Sequence, residues 1–232
     1  MKRYISLTIT VFIIASILLT GCGSSSETVS KQDLQELADC FSSTKNVDSM
    51  EIDVTSDTEA QGQSISLTMN MKAEDLKKDM KCKVTMDMAK QHQEYYLSIN
   101  GKTTSVYMSD ASGKFSVSKA DTSTLGNTDI TGSLNNYVDL IENNPGYFNK
   151  KSDKTYQLDV PNEEITDFYS KITGKAPGVK LSSFGLEFVI GDDGYLQNVN
   201  LTAKADSVDI KLNTKYFNYN KKFNIVLPDV SE

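Results

Sequence analysis

The chain has 232 residues, 24 lysines and arginines against 31 aspartates and glutamates, and a formal net charge of −7. That acidic balance excludes the basic surface on which nucleic-acid binding depends. Three cysteines and one histidine are too few for a disulfide scaffold or a zinc site, and the length fits one large domain or two small ones.

Lys2 and Arg3 open the chain, and Tyr4 to Leu19 is almost wholly apolar. A charged start followed by an apolar run is the layout of a secretory signal peptide. The run falls short of the roughly 20 apolar residues that a comfortable membrane span needs. It ends in Leu19-Thr20-Gly21-Cys22, which resembles the bacterial lipobox. The resemblance implies cleavage before Cys22, a diacylglycerol on its sulfur and often an acyl group on its amine. Two acyl chains suffice for stable anchoring where one is marginal. The other reading is a plain signal anchor with Cys22 incidental. Under both, the domain lies outside the cytoplasmic membrane, and under the first it is lipid-anchored on the extracytoplasmic face. Losing residues 1–21 takes Lys2 and Arg3 from the basic count, leaving 22 against 31 acidic residues, a formal charge of −9 and no arginine. Such a domain is not expected to lie flat on anionic lipid.

The expected organisation is a signal peptide over 1–21, a lipidated flexible tether over 22–29 and a single domain over 30–232. Gly23 to Thr28 is small and polar and has nothing to bury. Ser30 with Asp33 three residues on reads as a helix start, and Leu34, Leu37, Ala38 and Phe41 follow at helical spacing. Alternation then takes over in Met50-x-Ile52-x-Val54, in Ile65 to Ala73, and in Met80-x-Cys82-x-Val84-x-Met86-x-Met88. Period two places one face in a core and the other in water, the mark of an antiparallel sheet. Tyr95, Leu97 and Ile99 run into Asn100-Gly101, a strong hairpin signal. Val106 and Met108, then Phe115 and Val117, bring residues 49–118 to six strands. Ala120 to Thr131 reads as a surface loop.

Ser133 caps a second expected helix carrying Leu134, Tyr137, Val138 and Ile141, stopped by Asn143-Asn144-Pro145-Gly146. One strand over Tyr156 to Val160 follows. Pro161 to Glu164 opens a third helix with Ile165, Phe168, Tyr169 and Ile172 on its apolar face and Gly174 as its stop. Four final strands are expected, around Phe184–Ile190, Val199–Ala203, Val208–Leu212 and Phe223–Leu227. Strand runs interrupted by a few helices predict an α+β fold built on one antiparallel sheet. About ten strands in one sheet should curl strongly.

This layout resembles the curved-sheet lipoprotein carriers of the LolA/LolB and LppX/LprG type. The likeness lies in the lipobox, the helix near Ser30, the meander, the helical insert and the closing Lys215-Tyr216-Phe217-Asn218-Tyr219-Asn220 and Phe223-Asn224-Ile225-Val226-Leu227-Pro228. It implies a half-barrel of about 10–11 strands with about three helices on its concave face, and a lipid or acyl chain held there.

Sites of chemistry are sparse in the sequence. His92 is the single histidine, beside Gln91 and Gln93 at a strand edge, and no Gly-x-Ser-x-Gly or phosphate loop is present. Gly191-Asp192-Asp193-Gly194 lacks the spacing of a calcium loop and reads as a hairpin turn. Glu163-Glu164 suits a helix start. No catalytic residue, cofactor or metal is expected, and a non-enzymatic, monomeric domain is. The methionines have three readings: core filling, the lining of an adaptable apolar cavity, or soft-metal binding through Met-x-Met pairs. The second reading picks out Met69, Met71, Met86, Met88, Phe184, Leu186 and Phe188, with Ile165 and Phe168 from the third helix. Cys40 and Cys82 are either joined outside the cell or small buried hydrophobes. The leading expectation is an anchored lipoprotein binding an apolar ligand in the hollow of the sheet. The alternative is a structural or interaction lipoprotein with a solid core, contributing to an envelope assembly.

Overall fold

The computed structural model describes residues 27–60, 62–88, 91–110, 112–121, 132–168, 181–205 and 208–230. The expected signal peptide, Cys22, most of the loop before the second helix and the third helix beyond residue 168 lie outside these.

Helix α1 (Lys31–Lys45) begins where the sequence places it. The Ser30 hydroxyl accepts from the Asp33 N–H at 3.2 Å, and the Asp33 carboxylate accepts from the Ser30 N–H at 3.0 Å. This reciprocal cap satisfies donors that a helix start otherwise leaves orphaned. Leu37, Cys40, Phe41 and Thr44 form its buried stripe. Helix α2 (Gly132–Asn143) buries Leu134, Tyr137, Leu140 and Ile141, again at helical spacing. A 3-10 turn (Pro145–Tyr147) follows it.

Among the described residues, twelve strands form one open antiparallel sheet: β1 (Glu27–Thr28), β2 (Ser49–Ala60), β3 (Gln63–Glu74), β4 (Lys81–Met88), β5 (Gln91–Asn100), β6 (Thr103–Ser109), β7 (Phe115–Asp121), β8 (Phe148–Ser152), β9 (Thr155–Asp159), β10 (Ser183–Ile190), β11 (Leu196–Ala205) and β12 (Val208–Phe217). The spatial order is β1-β8-β9-β10-β11-β12-β2-β3-β4-β5-β6-β7. The sheet is thus two meanders joined in the middle, where β12 pairs with β2 from Val208↔Ala60 to Phe217↔Glu51. The edges are β1, only two residues long, and β7.

Several details differ from expectation. Glu27 and Thr28, placed in the tether by sequence, pair with Lys150 and Asn149. A strand, β8, appears over Phe148–Ser152, whose largely polar sequence carries no alternation. The four closing strands are three. Residues 221–230 form no strand, because Asn218, Asn220 and Asn224 all take φ near +55° and turn the chain out of the sheet. The N–H groups of Phe223, Asn224 and Ile225 go instead to the Glu74 carboxylate, at 3.2, 2.9 and 2.8 Å.

Register fixes two faces. One carries Tyr156, Phe188, Val199, Thr214, Val54, Met69 and Met86 along a single cross-strand row, and Leu158, Leu186, Leu201 and Leu212 along the next. Helices α1 and α2 pack on this apolar face. The Phe41, Tyr137 and Phe188 rings meet at 5.1–5.2 Å, joining α1, α2 and β10. Burying side chains of this size contributes ~1.5–3 kcal/mol each, and the aromatic contacts add to that. Buried Thr44 ties α1 to the sheet: its hydroxyl donates to the Cys40 carbonyl at 2.8 Å and accepts from the Leu196 N–H at 2.9 Å. The opposite face is polar. No helix among the described residues is long and apolar enough to cross a membrane.

Candidate functional site

The nine residues expected to line a ligand site all lie on the apolar face or in the core it builds, but in two groups. Phe184, Leu186 and Phe188 stand on β10, and Phe168 meets Phe184 at 5.7 Å, bringing in the helical turn at 165–168. Met69 and Met71 stand on β3, Met86 and Met88 on β4. Strands β11, β12 and β2 separate the groups. At roughly 4.8 Å per strand, that is about 19 Å along the sheet.

Cover differs between the two halves. Eight of the nine residues are buried, from 0 % exposure at Leu186 and Phe188 to 9 % at Met69. The β10 group is filled by the three-ring cluster and the helices. The methionine group is buried as well, with Met69 opposite Met86 and Met71 opposite Val84. Beyond β4 the same face loses cover. Met88, Tyr95, Leu97, Val106 and Met108 are half-buried, and Gln91 and Gln93 on β5 are exposed. Tyr95 donates its hydroxyl to Gln93, giving this open end an amide rim. The sequence list missed Tyr95, Leu97, Val106 and Met108, although their period-two spacing marks them as members of this face.

Thr214 interrupts the apolar run between Val54 and Val199, and its hydroxyl is buried without a hydrogen-bond partner. Cys40 and Cys82 are both free and buried, on α1 and β4, so they are not joined. Burial pushes both thiols up to about 12, which keeps them protonated and unreactive.

Elsewhere the described residues line a larger and a smaller cleft. The larger, about 760 Å³, lies between the outer side of α1 and the β8–β9 and β10–β11 turns. Its lysines are already engaged, Lys150 with Asp33 at 2.7 Å and Lys154 with Asp192 at 3.1 Å. The Lys150 ammonium and the Ser30 groups hold Asp33 down to about 2. The smaller, about 330 Å³, lies on the polar face over β12, β2, β3 and β4. Near it, burial alone would raise the Glu51 carboxyl, but hydrogen bonds from Asn70 and Asn218 and the charge of Lys72 hold it below its usual range.

His92 sits exposed beside the small cleft with Nδ1 2.8 Å from Asp87. The Gly191–Gly194 segment is a hairpin turn closed by Gly191 N–H to Tyr195 O at 2.8 Å and Gly194 N–H to Gly191 O at 3.0 Å. Among the described residues no three His, Cys, Asp or Glu side chains gather as a metal site.

No protein-family model and no curated protein matches the chain. Solved structures do. LprF from Mycobacterium bovis aligns over 89% of this chain and 100% of its own, at 10% identity and a TM-score of 0.46. The Mycobacterium tuberculosis lipoprotein LppX aligns over 85% and 100%, at 13% identity and 0.45. A DUF1329 family protein from Desulfovibrio piger aligns over 84% and 94%, at 8% identity and 0.33.

Proposed function

We propose that the chain is a non-enzymatic lipoprotein, held on the outer side of the cell membrane by acyl chains on Cys22, that binds an apolar or amphipathic ligand on the apolar face of its curled sheet. The observation that carries the reading is the gradient of cover on that face. It is sealed by helices and aromatic rings at β9–β11, buried through most of β3 and β4, and half-open at β5 and β6, where Tyr95, Leu97, Val106 and Met108, with Met88 at the end of β4, meet an amide rim. Adaptable methionine and tyrosine surfaces beside a few polar groups suit a flexible apolar guest. The ligand would therefore sit at the β4–β6 end, with Met86 and Met88 at its inner margin, while the β10 group serves as packing.

Native mass spectrometry of residues 27–232, made without detergent and offered phospholipid vesicles, tests this. The expected result is a mass excess removed by organic solvent and absent in Met108→Lys. A clean apo mass before and after incubation sinks it and leaves the second reading, a solid-core interaction lipoprotein. That alternative draws support from the burial of eight of the nine expected lining residues. The anchor is tested separately: Cys22→Ala should move the chain from the membrane fraction to the soluble one.

A further inference from the structure

We propose that the polar face of β12, β2, β3 and β4 is a binding groove for a neutral glycan chain. It lies on the opposite side of the sheet from the apolar face, so the proposal does not depend on what that face binds.

The groove of about 330 Å³ is floored by side chains on a regular lattice. Pairing places Asn213, Thr55, Thr68 and Asp87 in one cross-strand row, and Lys215, Asp53, Asn70 and Thr85 in the next. Neighbouring positions in a row stand about 5 Å apart and the rows about 7 Å apart. Its amides are held by neighbouring carboxylates and amides. Asn70 donates to Glu51 at 2.9 Å and to Asp53 at 2.7 Å. Asn213 donates to Asn198 at 3.2 Å and to Asn200, which in turn donates to Glu187 at 2.7 Å. Both carboxamides are thereby oriented by the bonds they donate, so a ligand meets amide groups that lose little further freedom on binding. The Thr55, Thr68 and Thr85 hydroxyls between them have no hydrogen-bond partner among the described residues. Each can donate and accept.

This chemistry selects its guest. Sugar hydroxyls also donate and accept, which matches free threonine hydroxyls beside fixed amides. A polyanion would need more cations than Lys215 supplies. A peptide read through its backbone would need a sheet edge, whereas these four strands are all paired on both sides. An acyl chain would belong on the other face. The amide ladder continues beyond the groove through Asn198 and Asn200, so a polymer lying across the strands is favoured over a single sugar.

The test uses the full chain in a detergent without a sugar headgroup, titrated with N-acetylchitotetraose and with cellotetraose and read by thermophoresis. Saturable binding of at least one is expected. Thr68→Arg, which fills the groove from an exposed strand position, should weaken it by at least about tenfold. Thr103→Arg, on the same face but outside the groove, should leave it unchanged. Binding of neither sugar overturns the proposal, as does binding that Thr68→Arg does not weaken.

Discussion

Glu74 offers the sharpest test of how the C-terminal segment is held. Its carboxylate, 8 % exposed at the end of β3, accepts three consecutive N–H groups from Phe223, Asn224 and Ile225. The positive φ of Asn224 lets these donors converge on one anion. A hydrogen bond to a charged acceptor nets roughly 1.5–3 kcal/mol, so the simple total for three would be large. Asn224 is exposed and Phe223 half-buried, so their N–H groups find water once released, whereas Ile225 is buried. The expected cost of Glu74→Ala is therefore about 3 kcal/mol, close to one charged bond plus one orphaned donor. For a chain of this length that is a drop in Tm of about 6–12 °C. Glu74→Gln keeps one carbonyl acceptor and should cost about half as much. Thermal denaturation gives the total, and hydrogen exchange at 223–225 locates it. A Tm within about 2 °C of the parent, or unchanged exchange at those residues, refutes the reasoning. The contacts of Asn220 with Asp48 and of Lys221 with Ser49 would then be what holds the segment.

Phe188→Ala removes the ring shared by α1, α2 and β10 and should cost about 3–5 kcal/mol in urea denaturation, against less than about 1.5 kcal/mol for the volume-conserving Met86→Leu. Cys40 and Cys82, with thiols pushed up to about 12 by burial, should both resist a thiol reagent in the folded protein at mildly alkaline pH and both react in denaturant. Asp33 is depressed from 3.8 to about 2 by Lys150 and Ser30. A depressed carboxyl contributes its stability in full above the unfolded value and loses it as pH falls toward the folded one. Exchange protection at the start of α1 should therefore fall between about pH 4 and pH 2, and Asp33→Asn should flatten that dependence.

Most of the sheet was legible because a half-buried strand writes its burial into alternate residues. Met69 and Met71, or Phe184, Leu186 and Phe188, declare their face without help from the rest of the chain. Strand β8 did not, since Asn149, Lys150 and Lys151 draw on long-range partners: Lys150 is kept by Asp33 and Lys151 by Glu187. The final apolar alternation, Phe223-x-Ile225-x-Leu227, misled for the opposite reason. Its period is that of a strand, but three asparagines at positive φ and a buried carboxylate offer the backbone another arrangement. The candidate site was half legible. Membership of the apolar face follows from periodicity, but which part stays open depends on where α1 and α2 land. The ring cluster that puts them over β10 joins residues far apart in sequence.

The seam between β12 and β2 joins the last strand of the chain to the first long one. A polypeptide made or exported from its N-terminus therefore carries β2, twelve residues long, as a raw edge until nearly the whole domain has emerged. The first meander pairs strands adjacent in sequence, whereas the seam joins strands far apart in sequence and closes at the cost of a long loop. During that interval one side of β2 is a template for strand addition by any neighbour. Truncation before Val208 should thus give a chain that self-associates through β2. The Glu74 clasp, engaging residues beyond β12, then acts as a latch on a closure that has already taken place.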